Sequence, residues 1–97
     1  MPYEIRFALS ARQQLRAFLV GERAMIVAWV ETQLAHEPLV ETRNRKRLRP
    51  NPIAPCELRV REMRVFCEVD EPGVVTVLAI GMKRGNRLYI EGEEVEL

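Results

Sequence analysis

Arg59, Arg61 and Arg64 are crowded into a stretch, 57–69, that alternates apolar and polar residues on both sides of a tight reversal at Arg61-Glu62. Alternation of period two predicts two half-buried strands joined as a hairpin. With Arg61-Glu62 as the loop, Val60 faces Met63, Leu58 faces Val65 and Cys56 faces Cys67, so one surface of the hairpin is apolar. The other surface sets Arg59 directly across from Arg64, with Arg61 beside them. Like charges facing each other across strands repel. A solvated surface can carry such a pair, and a polyanion site has a use for it. The loop contains neither Gly nor Asn, so positive φ there costs about 1–2 kcal/mol per residue.

A second group of cations precedes the hairpin. Arg43-Asn44-Arg45-Lys46-Arg47-Leu48-Arg49 places five bases in seven residues, and Pro50, Pro52 and Pro55 follow. The prolines restrict the segment, which is expected to run extended beside the hairpin. A rigid basic segment next to an arginine face points to phosphate binding. A third group, Lys83, Arg84 and Arg87, ends in Tyr89. The last ten residues carry four glutamates and no base, and this tail is expected to be loosely held, lying over the arginine face. The formal net charge of +1 therefore conceals a basic region balanced by an acidic end.

Other chemistries lack their residues. Cys56 and Cys67 lie eleven apart with one histidine in the whole chain, so no zinc or Cys-His catalytic spacing exists, and both cysteines read as reduced core residues. No metal or cofactor is expected. Apolar residues at 47% and charged residues at 30% describe one globular domain over residues 1–97. No apolar run approaches the roughly 18 residues of a spanning helix, and no signal-peptide pattern opens the chain. A cytoplasmic protein with no membrane partner is expected.

The positioning elements follow from periodicity. Tyr3, Ile5 and Phe7 alternate with charges and predict a first strand. Ser10 and Gln13 have capping-box spacing, so a helix is expected from Ser10, with Leu15, Phe18 and Leu19 buried and Gly21 at its end. A second helix is expected from Glu22 to just before Pro38, burying Ile26, Trp29, Val30, Gln33 and Leu34, with Met25 and Ala28 widening that face. His36 falls in its last turn, where the helix dipole favours a cation. Such a helical hairpin is the cover for the apolar sheet face. Asp70-Glu71-Pro72-Gly73 is turn chemistry, and 74–80 is apolar on both faces, as a central strand is. The order predicts a two-layer α+β domain, with an N-terminal strand and helical hairpin packed on one face of a mostly antiparallel sheet.

In order and spacing, these segments resemble the RelE/ParE superfamily, toxins of type II toxin-antitoxin systems. The resemblance rests on the first strand, the helical hairpin, Lys46-Arg47-Leu48-Arg49, the Glu57–Val60 and Met63–Val69 hairpin strands, and the ending from Val77 to Tyr89. It implies a sheet whose first strand lies beside the last, and a cognate antitoxin that wraps and silences the toxin. RelE-like members cleave messenger RNA on the ribosome without metal, through attack of the ribose 2′-hydroxyl on the neighbouring phosphate. The resemblance then implies catalytic roles for Arg59, Arg64, Lys83 and Tyr89, and RNA contacts for Arg43, Arg45, Lys46, Arg47, Arg49, Arg61, Arg84 and Arg87. One family lysine position falls on Glu57, which reverses the charge. ParE-like members instead poison DNA gyrase by protein contact, and a catalytically decayed RNA-binding member is a third possibility.

Overall fold

A computed structural model describes residues 2–70 and 73–97. Its elements are β1 (Glu4–Phe7), α1 (Leu9–Arg16), α2 (Val20–Leu34), β2 (Arg45–Arg47), β3 (Cys56–Val60), β4 (Met63–Asp70), β5 (Val74–Arg84), β6 (Arg87–Ile90) and β7 (Glu93–Val95). The strands form one sheet in the order β2-β3-β4-β5-β6-β7, antiparallel throughout. β1 lies beside β5 and runs parallel to it, along the part of β5 that precedes its pairing with β6. Among the described residues, no helix is long and apolar enough to cross a membrane. The turn expected over 70–73 lies partly outside the described residues.

The hairpin register follows the alternation: Val60 pairs with Met63, Leu58 with Val65, and Cys56 with Cys67. Of the two loop residues only Arg61 takes a positive φ, 56°, so the backbone strain falls on one residue rather than two. β5 carries an extra residue opposite the Phe66/Cys67 step of β4. This bulge turns both Leu78 and Ala79 toward the same side of the sheet.

Two apolar clusters result. Beneath the helices, Ala11, Ile26, Val30 and Leu34 pack on Leu58, Val60, Val65, Val75, Val77 and Ile80, with Trp29 and Met25 half-buried at the margin. On the opposite side, Phe66, Ala79, Leu88 and Ala54 form a smaller cluster that the hairpin's alternation did not announce. Its lid is the loop 48–55, which doubles back instead of running extended. Asn51 causes this, accepting from the Ile53 and Ala54 N–H groups and donating to the Arg49 and Ala54 carbonyls.

Both helix ends differ from expectation for identifiable reasons. Ser10 does not cap α1; its hydroxyl donates 2.9 Å across to the Leu78 carbonyl, and Ala8 stands at the N-cap. α1 stops at Arg16, so Phe18 and Leu19 lie outside it, and Leu19 is 73% exposed. The Glu22 carboxylate accepts the Leu19 N–H at 3.0 Å, placing an acid in the first turn of α2, which begins before Gly21. The acidic tail is likewise not loose over the arginines: it pairs as β7 with β6, at the far edge of the sheet from β2.

Cys56 and Cys67 are buried free thiols facing each other under the helices. Burial pushes both thiols up, Cys67 to about 12. Neither should react with a thiol reagent in the native state, and both should react once denaturant is added. The unfolded thiol ionises first, so the Cys67 contribution to stability is complete below its ordinary value of 9.0 and is lost as pH rises toward about 12. Denaturation midpoints across that alkaline range should therefore fall less steeply for Cys67→Ala than for the parent.

Candidate functional site

Strand alternation sends Cys56, Leu58 and Val60 under the helices, which leaves Glu57 and Arg59 on the opposite face. Arg64 stands across from Arg59 on β4, and Phe66 across from Glu57. Gly81 of β5 lies opposite Arg64, and Lys83 follows two residues later on the same face. The Lys83 N–H donates 2.7 Å to the Glu62 carbonyl, so this end of β5 is tied to the hairpin turn. On the outer side, Lys46 of β2 is opposite Glu57. One face thus gathers Lys46, Arg59, Arg64 and Lys83 around Glu57.

Glu57 is buried, at 7% exposure. Its carboxylate lies 3.4 Å from Arg64 Nε and 3.9 Å from Arg59 Nε, separations that hold opposite charges together without forming hydrogen bonds. Both Nε atoms are buried and, among the described residues, have no hydrogen-bond partner. Arg64 is further anchored through Nη1, which donates to the Arg61 and Met63 carbonyls at 2.7 and 2.9 Å. Burial pulls the Arg64 guanidinium below its ordinary value, Glu57 opposes this, and Arg59 adds to it. A guanidinium nevertheless stays charged at neutral pH. The arrangement offers cations held in fixed positions, as binding an anion requires.

The remaining basic residues divide between the two faces of the sheet. Register sets Arg45 opposite Leu58 and Arg47 opposite Cys56, on the helix side of β2, so of this strand only Lys46 joins the arginine face. Arg45 Nη1 donates to the Gln33 and His36 carbonyls at 2.7 and 3.1 Å, closing the C-terminal end of α2. Arg45→Ala should therefore lower unfolding stability by about 1–3 kcal/mol, seen in a thermal melt. Arg43 and Arg49 are exposed in the flanking loops, and Arg61 is exposed at the hairpin tip. Arg87 forms an exposed pair with Glu94 at 3.6 Å.

Tyr89 is not brought to the arginines. It pairs with Met82, whose side chain packs under the helices, and so stands on the helix face. There it lines a groove of about 680 Å³ with Gln14, Phe18, Met82, Arg84 and Glu91. Gln14, although polar, is 8% exposed because its Oε1 accepts the Ile80 N–H at 2.7 Å. Gly81 allows the close packing of β6 here: a Cβ would stand 2.7 Å from the Tyr89 carbonyl and 2.9 Å from Ile90 Cγ1.

The counter-ion role of Glu57 is the functional feature that reading the residues one at a time misses. The signal was present, since the register makes Glu57 the diagonal neighbour of Arg64 and the same-face neighbour of Arg59.

No family model matches the sequence, and no curated protein matches it. Among solved structures, the fold is similar to a chain of the toxin-antitoxin complex RelBE2 from Mycobacterium tuberculosis. The TM-score is 0.74 at 26% sequence identity, covering 86% of this chain and 93% of that one. This neighbour supports the resemblance to the RelE/ParE superfamily. Among the positions that RelE-like chemistry assigns, Arg59, Arg64 and Lys83 share a face, whereas Tyr89 occupies the other. Glu57, where the resemblance leads one to expect a lysine, is a buried acid.

Proposed function

We propose that this protein is the toxin of a type II toxin-antitoxin pair and that its arginine face binds messenger RNA as a RelE-like, metal-independent endoribonuclease. The observation that carries this reading is the Arg59/Arg64 pair, flanked on one face of the sheet by Lys46 and Lys83. In the reaction the ribose 2′-oxygen bonds to the adjacent phosphorus as its proton departs. The bond from phosphorus to the 5′-oxygen breaks and that oxygen gains a proton, leaving a cyclic phosphate and a free 5′-hydroxyl. Negative charge builds on the phosphoryl oxygens, where preorganised cations contribute most. Arginines stabilise charge and do not relay protons, so the expected contribution of this face is charge stabilisation and positioning. Tyr89, on the other face, has no part in this scheme.

A cognate antitoxin is the expected protein partner, and the ribosome the platform that holds the RNA. Both belong to the cytoplasm, where we propose the protein acts. Glu57 favours a second reading, because it cancels charge that RNA binding would use: a ParE-like toxin that poisons DNA gyrase by protein contact. A decayed RNA-binding member is the third. Inducing the protein in cells while following translation, DNA integrity and growth separately tests all three. Rapid loss of translation with intact DNA supports the nuclease. DNA breaks with translation continuing support gyrase poisoning. Unaffected growth supports the decayed member.

A further inference from the structure

We propose that Glu57 is a positioning residue that holds Arg59 and Arg64 by their Nε edges and, acting as an internal anion, limits how strongly the face grips RNA phosphate. This rests on the RNA-binding reading above. A buried carboxylate requires a charged neighbour, and Glu57 has Arg64 at 3.4 Å and Arg59 at 3.9 Å. The two arginines are a directly opposed cross-strand pair that would repel without an acid between them. Glu57 supplies that acid from the diagonal position. Arg64 cannot swing away to meet a ligand elsewhere, because Nη1 is committed to the Arg61 and Met63 carbonyls. The buried Nε edges face Glu57, so a phosphate must meet the remaining donors of guanidiniums whose charge Glu57 already offsets. Two guanidinium charges against one carboxylate leave a single net positive charge on the trio, where a neutral residue at this position would leave two. Glu57 thus trades affinity for a fixed geometry.

The experiment measures binding of a short single-stranded RNA whose 2′-hydroxyls are methylated, so that it cannot be cleaved, by fluorescence anisotropy over a range of salt. Glu57→Gln should bind about tenfold more tightly at low salt, and its plot of log Kd against log salt should be steeper by about 0.7, the increment for one added single-strand phosphate contact. Glu57→Asp should retain most of the parent slope. On ribosome-bound messenger RNA, Glu57→Gln should lower both kcat and KM, since the arginines bind better and are held less well. Unchanged affinity and slope in Glu57→Gln, or weaker binding, would overturn the proposal. If Glu57→Gln does not fold, the parent decides: the Nε–H resonances of Arg59 and Arg64 should stay in place when millimolar inorganic phosphate is added, and a large shift overturns the proposal. The binding readout is independent of catalysis. A parent that never arrests translation, paired with a tighter-binding Glu57→Gln, removes the nuclease reading and keeps the role of Glu57; active proteins with identical binding do the reverse.

Discussion

Arg64→Ala is expected to reduce growth inhibition by about 100- to 1,000-fold, the loss typical of removing one preset charge from a developing oxyanion. Arg64 merits this expectation over Arg59 because its side chain is only 12% exposed, its Nη1 is fixed to two turn carbonyls, and it is the nearer of the two to Glu57. Loss of toxicity could also follow from unfolding. Truncation leaves Glu57 buried with only Arg59 at 3.9 Å, and stability should fall by about 2–3 kcal/mol, less than for a fully hydrogen-bonded buried pair. The double variant Arg64→Ala/Glu57→Gln separates the effects. It removes the uncompensated acid, so stability should largely return while toxicity does not. Colony counts after induction, beside urea denaturation of each purified protein, make the comparison. A folded Arg64→Ala protein as toxic as the parent would place the functional site elsewhere.

The second large effect is expected at Phe66, which is fully buried on the arginine side of the sheet. It lies between Glu57 on β3 and Ala79 on β5, under the Leu48, Ile53 and Ala54 lid. Phe66→Ala removes the largest side chain of this cluster and should cost about 3–5 kcal/mol, part transfer and part cavity. Against a typical total of about 5–15 kcal/mol, that is a large share of the fold's stability. The denaturant midpoint should fall with the slope unchanged. A loss below about 1 kcal/mol would mean that the 48–55 loop collapses into the space, and that the second cluster is not a rigid support for Glu57.

Much of this was legible in the chain itself. The 57–69 alternation carried the hairpin, its register, and the opposition of Arg59 to Arg64, because a period of two and a two-residue loop leave one arrangement that buries Leu58, Val60, Met63 and Val65 together. The second helix announced its buried face through Ile26, Val30 and Leu34, and the apolar run ahead of Gly81 announced a strand flanked on both sides. These signals are local, and the chain need only obey its own periodicity for them to hold.

What tertiary structure decided was which basic residues share a face. In the sequence, 43–49 is one basic segment; in the sheet, β2 turns Arg45 and Arg47 toward the helices and Lys46 toward Glu57, because pairing with β3 assigns alternate residues to opposite faces. The same rule, acting through the β5 and β6 pairing, separates Tyr89 from Lys83 although they are close in the chain. Helix starts also escaped, since Ser10 found its acceptor at Leu78, sixty-eight residues away. The burial of Glu57 depends on Phe66, Lys46 and two arginines arriving from three strands. By itself the sequence determined the 57–69 hairpin, the central strand, the buried face of the second helix and the charge to be placed; the pairing of distant strands decided where that charge stands, because face and burial are properties of a register between segments and not of any one segment.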